Sequence, residues 1–97
     1  MRKEMFKHEI TILRETFGRL LRRHATTNLV KLIQKTHPAD LAVLFRYFSE
    51  DEQSQVFNLM NEHEHTAQLM AALDDTVLEK LLEDESPDRI AAIIQHA

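Results

Sequence analysis

Cysteine and tryptophan are absent from this chain, and its 97 residues include only one glycine and two prolines. Without cysteine there is no disulfide framework and no thiol chemistry, which favours a cytosolic setting. So few glycines and prolines cannot supply the turns of a many-stranded sheet. The composition therefore predicts an all-α fold.

Long apolar runs are also missing. No stretch approaches the roughly 18–20 residues that a helix needs to cross a bilayer, and the charged N-terminus lacks the apolar core of a signal peptide. We therefore expect a soluble, cytoplasmic chain that is not exported. The chain has no glycine-rich phosphate loop and no Ser/His/acid arrangement suited to nucleophilic catalysis, so we predict that it is not an enzyme.

A short apolar phrase occurs three times in the sequence. The three copies begin at residues 41, 66 and 90, so the steps between them are 25 and 24 residues. The copies read Leu41-Ala42-x-Leu44-Phe45, Thr66-Ala67-x-Leu69-Met70 and Ile90-Ala91-x-Ile93-Ile94, with the doublets Val56-Phe57 and Leu81-Leu82 between them. Two short helices and two turns fill such a period, so the pattern predicts stacked αα-hairpins, which mostly bind protein surfaces.

A longer amphipathic helix is predicted before the repeats, from about Glu4 to about Arg23. Its apolar residues alternate spacings of four and three and form one stripe: Phe6, Ile10, Leu13, Phe17 and Leu20. We expect this stripe to pack on the repeats, with exchange or pairing of the helix between two chains as the alternative. We divide the chain into a basic amphipathic helix over residues 1–26 and hairpin repeats over residues 27–97, with about seven helices in all.

Helix starts are marked by proline and by capping residues. Proline at the first helical position loses no hydrogen bond, so Pro38 and Pro87 each predict the start of a helix. Ser49 and Glu52 have the spacing of a capping box, in which each side chain bonds the backbone N–H of the other residue. We further expect Asp74-Asp75 to cap the sixth helix.

Six histidines raise the question of a metal site. The densest cluster is His63-Glu64-His65, but residues two apart project to different sides of a helix. We therefore expect solvated turn residues in this cluster and no zinc site. The ring of His37, just ahead of a proline, is expected to bond nearby backbone.

The net charge of −4 hides an asymmetry between two parts of the chain. Residues 1–23 carry seven Lys/Arg and three Glu, a charge of +4, whereas residues 24–97 carry five Lys/Arg and thirteen Asp/Glu, a charge of −8. Attraction within the chain between the basic helix and the acidic repeats is the simplest use of this arrangement. The acidic majority and the single tyrosine argue against nucleic acid as a partner.

The segment from Asn28 to Phe45, and above all its phrase His37-Pro38-Ala39-Asp40-Leu41, resembles the cytosolic N-terminal domain of MgtE-type magnesium transporters. In that family a short helix leads into a His-Pro-x-Asp-Leu phrase, and an acidic capped helix follows, here Ser49 to Met60. The resemblance covers about residues 27–97. It implies a right-handed superhelix of short helices that precedes a pair of CBS domains and a membrane channel domain.

The same resemblance implies a regulatory function. In the family, magnesium ions bound at acidic interfaces between the N domain and the CBS domains hold the channel closed. Loss of the ions lets these surfaces repel and separate. The implied location is the cytosolic face of the inner membrane. The implied partners are neighbouring CBS-type domains or another protein surface, with a membrane reached only through a longer parent protein.

The candidate metal ligands are acidic side chains near helix ends, namely Glu64, Glu83, Asp84, Glu85 and Asp88. The last four form the group of most interest, because negative charge is unfavourable at the C-terminus of a helix. Where family members can carry a metal-binding glutamate, this chain has Gln68, whose neutral amide is a poor magnesium ligand. We therefore expect magnesium to bind weakly, or only together with a neighbouring domain.

The last predicted helix presents Ile90, Ile93 and Ile94 with no further helix after it in the sequence. The first helix, another chain or the remainder of a longer protein could cover this face, and we expect the last of these. Neither a CBS pair nor a membrane span is present in the sequence itself. The alternative function is a free-standing helical interaction module that is homodimeric through helix exchange.

Overall fold

A computed structural model describes residues 2–95 of the chain, and describes side chains from residue 9 onward. These residues form seven α-helices and no strand. The helices are α1 (Arg2–Arg22), α2 (Thr26–Lys35), α3 (Pro38–Phe45), α4 (Glu50–Leu59), α5 (His63–Ala72), α6 (Asp75–Glu83) and α7 (Pro87–Ile94). The predicted all-α fold with a longer first helix is confirmed.

The helices pack in two rows. In the odd row α1 packs against α3, α3 against α5, and α5 against α7; in the even row α2 packs against α4 and α4 against α6. Each repeat phrase falls on a helix of the odd row, and each apolar doublet falls on a helix of the even row. This alternation is typical of stacked αα-hairpins and is consistent with a superhelix, whose right-handed sense stays a prediction.

The core lies between the two rows and is centred on the first repeat phrase. Leu41, Leu44 and Phe45 are fully buried there, as are the doublet residues Val56 and Phe57. A fully buried side chain of this kind contributes about 1.5–3 kcal/mol from loss of apolar surface. The core therefore depends on the residues that define the repeat.

Helix α1 completes this core with the predicted stripe. Ile10 and Phe17 are buried, and the Phe17 ring lies 5.7 Å from the ring of Phe48, which ties α1 to the turn after α3. Leu21 takes the last buried position of the stripe, while the predicted Leu20 is half-buried. The side chain of Phe6 lies outside the described residues. The stripe is thus covered by α2 and α3 of the same chain, and the division between residues 26 and 27 stays a prediction.

Most predicted helix starts are confirmed in atomic detail. His37 Nδ1 accepts the N–H of Ala39 at 3.1 Å, ahead of the proline that begins α3. In the capping box the Ser49 hydroxyl accepts the N–H of Glu52 at 3.1 Å, and Glu52 accepts the N–H of Ser49 at 2.8 Å. The Ser86 hydroxyl likewise accepts the Arg89 N–H at 3.2 Å to begin α7.

One predicted cap is wrong. Asp74 occupies the N-cap position of α6, but its side chain makes no capping hydrogen bond. Its Oδ2 lies instead 3.5 Å from Nε of Arg46, which directly follows α3. A guanidinium from an earlier hairpin therefore draws the carboxylate away from the helix end. A cap that the sequence did not suggest occurs one helix earlier, where Glu62 accepts the N–H of His65 at 3.0 Å.

The apolar face of α7 is partly covered by the rest of the chain. Ile93 is 1% exposed because α7 packs against α5, a source of cover that was not among the three that the sequence suggested. Ile90 is half-buried, and Ile94 is 58% exposed. The first helix packs against α2 and α3, so α5 is the element that covers Ile93.

Candidate functional site

The five candidate metal ligands lie in two separate places. Glu64 is in the first turn of α5, whereas the other four surround the turn that joins α6 to α7. Glu83 is the last residue of α6, Asp84 its C-cap, and Asp88 lies in the first turn of α7. All three are exposed, as is Glu64. The acidic turn, as we name residues 83–88, therefore presents three carboxylates to solvent.

Glu85, the fifth candidate, is already neutralised within the chain. Its Oε2 lies 3.0 Å from Nη1 of Arg89, one helical turn further on, and both side chains are largely buried. A carboxylate that compensates a buried guanidinium is poorly placed to leave it for a cation. We therefore leave Glu85 out of the set of ligands open to solvent.

Arg89 is the side chain beside the acidic turn whose role the sequence did not reveal. Its Nη2 donates to the backbone carbonyls of Phe57 and Met60, at 2.8 Å in each case, and its guanidinium lies 4.6 Å from the centroid of the Phe57 ring. These carbonyls belong to the C-terminal end of α4, where the helix dipole is negative, and the Phe57 carbonyl also accepts the N–H of Met60 at 3.2 Å. Arg89 thus fastens α7 to α4. The sequence offers only a weak indication of this role, which is that Arg89 is the one Lys or Arg between residue 81 and residue 97.

The carboxylates of the acidic turn do not form a complete cation site. Among residues 9–95 no group of three or more His, Asp or Glu side chains is placed to hold a metal ion. Gln68 is exposed on α5 and offers only a neutral amide. Magnesium keeps several waters and takes as few as one or two protein carboxylates, so the exposed carboxylates of this turn are side chains of the type that it binds.

The His63-Glu64-His65 cluster lies on the first turn of α5, and its histidines are half-buried rather than fully solvated as expected. The His65 ring lines an apolar cavity of about 250 Å³ between α2 and the α4–α5 turn. Its Nε2 is inaccessible to solvent and has no hydrogen-bond partner. The two histidines therefore belong to the packing of α5.

Two exposed ion pairs connect neighbouring helices of the stack. Lys80 Nζ on α6 lies 2.9 Å from Glu50 Oε2 on α4, and the other pair is that between Arg46 and Asp74. The hydrogen bond and the negative charge of Glu50 raise the pKa of Lys80 above its usual 10.5. The side chains of Lys80 and Glu50 are 57% and 74% exposed, so solvent screens the pair and its contribution to stability is small.

The described arginines of α1 form no ion pair with the acidic repeats. Within the described side chains Arg14, Arg19 and Arg22 form no ion pair, and Arg14 instead lies 4.8 Å over the ring of Tyr47. Among the described side chains the expected attraction is therefore not realised as ion pairs. The apolar stripe seats α1 on α2 and α3, and this places its arginines apart from the acidic turn, which follows α6.

Short capped helices in two rows, with carboxylates concentrated at helix ends, define a helical-repeat domain. A family model described as the MgtE intracellular N domain matches residues 27–97, and the chain belongs to this family. The resemblance based on the phrase His37-Pro38-Ala39-Asp40-Leu41 is thereby confirmed. The family is a cytosolic part of magnesium transporters and is not a known family of enzymes.

No curated protein and no solved structure matches the chain. None of the described helices combines the length and the apolar character that are needed to cross a membrane.

Proposed function

We propose that this chain is a regulatory domain of a magnesium transporter, which senses divalent cations through acidic surfaces that face a neighbouring domain. Membership of the MgtE intracellular N domain family supports the transporter setting. The observation that carries the sensing role is the acidic turn, in which Glu83, Asp84 and Asp88 are exposed at adjoining helix ends. Family resemblance makes CBS-type domains the proposed neighbours.

The proposed mechanism is electrostatic. Glu83 and Asp84 lie at the C-terminus of α6, where the helix dipole already makes negative charge unfavourable. When a second acidic surface approaches, repulsion between the two surfaces grows, because ions in solution screen charges only beyond about 8–10 Å. A magnesium ion between the surfaces offsets this repulsion and bridges carboxylates on both sides. Loss of the ion separates the surfaces, and this separation is the signal that gates transport.

Titration of the isotope-labelled chain with magnesium chloride in the millimolar range, followed by NMR, tests direct ion binding. We expect saturable shift changes at the amides of residues 83–88. These changes should disappear in the double variant Glu83→Gln/Asp84→Asn. The matched control is Asp75→Asn/Glu79→Gln, which removes the same charge from the same helix at exposed positions. Silence of the acidic turn in the unmodified chain, or equal losses in both variants, would remove direct ion binding.

A second function is favoured by exposed apolar side chains at the two ends of the stack. Ile94 on α7 and Ile12 on α1 are each more than half exposed. They support a free-standing interaction module that forms homodimers, with the first helix exchanged between chains. Light scattering at high protein concentration separates the two functions: a mass that stays at 11.4 kDa contradicts the homodimer.

A further inference from the structure

Three arginines of α1 line a groove between this helix and the turn that joins α3 to α4. The groove has a volume of about 530 Å³. We name it the arginine groove; its lining includes Arg14, Gly18, Arg19, Arg22, Tyr47 and Glu52. It lies on the basic first helix, apart from the acidic turn.

The spacing of the arginines along α1 places positive charge in this groove. Arg14, Gly18 and Arg22 follow one another at intervals of four residues and therefore share one face of the helix. A Cβ at Gly18 would lie 3.3 Å from Arg22 Nη1, so the guanidinium of Arg22 occupies the space that the glycine leaves. The side chain thus turns back by about one helical turn, roughly 5–6 Å, toward Arg14.

The Tyr47 ring holds the second guanidinium in place. The Arg14 guanidinium lies 4.8 Å from the ring centroid, and Tyr47 itself is 53% exposed at the groove. A cation over an aromatic face loses little of its capacity for hydrogen bonding at its edge, while its position becomes restricted. Two guanidinium groups are therefore directed into one groove from the same helix.

The carboxylates nearby leave this charge uncompensated. The Glu52 carboxylate lines the groove, but one of its oxygens accepts the N–H of Ser49 in the capping box. Glu15 also lines the groove and is exposed, yet among the described side chains no ion pair joins it to an arginine of α1. Guanidinium groups match carboxylates in planar, paired geometry, which makes them well suited to a carboxylate ligand.

We propose that the arginine groove binds an extended acidic segment of a partner protein. Side chains on one side of an extended segment repeat about every 7 Å. Arg14 and Gly18, beside which the Arg22 guanidinium lies, are one helical turn apart along α1, about 5–6 Å, which is comparable with that repeat. A short segment contacts only the surroundings of the groove, whereas a large polyanion such as duplex DNA or an anionic membrane also meets the repulsion of the −8 charge spread over residues 24–97.

Fluorescein-labelled hexaglutamate serves as the probe, with hexaglutamine as the neutral control peptide and fluorescence anisotropy as the measurement. We expect saturable, salt-sensitive binding of hexaglutamate alone. The double variant Arg14→Gln/Arg22→Gln should weaken it about tenfold, because two charge-assisted contacts are lost. The matched control is Lys31→Gln/Lys35→Gln, which removes the same charge from exposed positions of α2 and should change affinity less than twofold.

Gly18→Ala provides an independent test, because it should raise the stability of the chain and at the same time weaken the binding of hexaglutamate. Alanine favours the helix, so the melting temperature should rise. The added Cβ displaces the Arg22 guanidinium, so binding of hexaglutamate should weaken about threefold. A variant that is more stable and binds more weakly supports a role in recognition and not in folding.

Four outcomes overturn the proposal. They are the absence of saturable binding, equal losses in the arginine and lysine variants, unchanged binding in Gly18→Ala, and a preference of the groove for DNA or phosphatidylserine vesicles over hexaglutamate. Self-association of the chain that requires Arg14 and Arg22 would likewise replace the partner peptide with a second copy.

Discussion

The first and last copies of the repeat phrase have the same pattern but different surroundings. In α3 the residues Leu41 and Phe45 are fully buried, because α1 packs on one side of this helix and α5 on the other. In α7 the corresponding residues Ile90 and Ile94 are half-buried and exposed. The comparison teaches that a repeat determines which face of a helix is apolar, while the neighbours on each side determine how much of that face is buried.

The largest expected effect distinguishes these two copies directly. Phe45→Ala removes a fully buried ring and leaves a cavity, so we expect a loss of about 3–5 kcal/mol in the free energy of unfolding. The equivalent change at the exposed end, Ile94→Ala, should cost less than about 0.5 kcal/mol. Urea denaturation followed by circular dichroism measures both. Equal losses would mean that the ends of the stack are equally packed, contrary to the comparison.

The next effect concerns how α7 is attached. Arg89→Ala removes two hydrogen bonds to carbonyls and leaves the Glu85 carboxylate without its cation, so we expect a loss of about 2–3 kcal/mol. Arg46→Ala, which breaks only an exposed ion pair, is the control and should cost less than about 0.5 kcal/mol. Thermal melting suffices, because 1 kcal/mol corresponds to about 4–8 °C in a domain of this size. Similar melting temperatures for the two variants would contradict the assigned role of Arg89.

A smaller loss of stability is expected from substitutions at two equivalent N-cap positions. Ser49 and Asp74 both precede a helix of the even row, but only Ser49 makes a capping hydrogen bond. We therefore expect Ser49→Ala to cost about 1 kcal/mol. Asp74→Ala should cost less than half as much, since it loses only an exposed ion pair. A larger loss for Asp74→Ala, again by urea denaturation, would show that Asp74 caps α6 in solution.

The smallest expected effect is a pH dependence of the stability that the pair of Lys80 and Glu50 gives to the even row. The Glu50 carboxylate raises the pKa of Lys80, so the stabilisation from this pair is fully present below pH 10.5 and is lost as the pH rises through the folded-state pKa. In Glu50→Gln the Lys80 pKa should fall toward 10.5. NMR titration of the lysine side-chain carbon next to Nζ measures the shift. An unchanged pKa in the variant would mean that the ion pair does not persist in solution.

Local features of the fold were predictable because the residues that interact in them are close in sequence. The His37 ring bonds a backbone N–H two residues away, and the capping box of Ser49 spans three residues. The repeat phrase likewise signalled the helices of the odd row, because each copy places apolar side chains on one helical face. Such contacts follow from spacing alone.

The remaining contacts were not predictable because they join distant parts of the chain. Arg89 bonds carbonyls that lie 29 and 32 residues earlier, and Asp74 is drawn from its cap by Arg46 of a preceding hairpin. Glu85, one of the five candidate ligands, pairs with Arg89. No periodicity reveals which residues of successive hairpins meet. The metal-binding role of all five candidates stays a prediction.

The attachment of α7 through Arg89 has a consequence for local opening. Ile93 is the one fully buried side chain on α7, so this helix can detach at a lower free energy than the rest of the stack. Detachment withdraws the arginine from the carbonyls of Phe57 and Met60 and frays the end of α4 at the same time. Hydrogen exchange at these two places, although they are far apart in the chain, should therefore be correlated. The acidic turn lies between α4 and α7 in the chain and adjoins the helix that detaches, so its carboxylates change position with that opening.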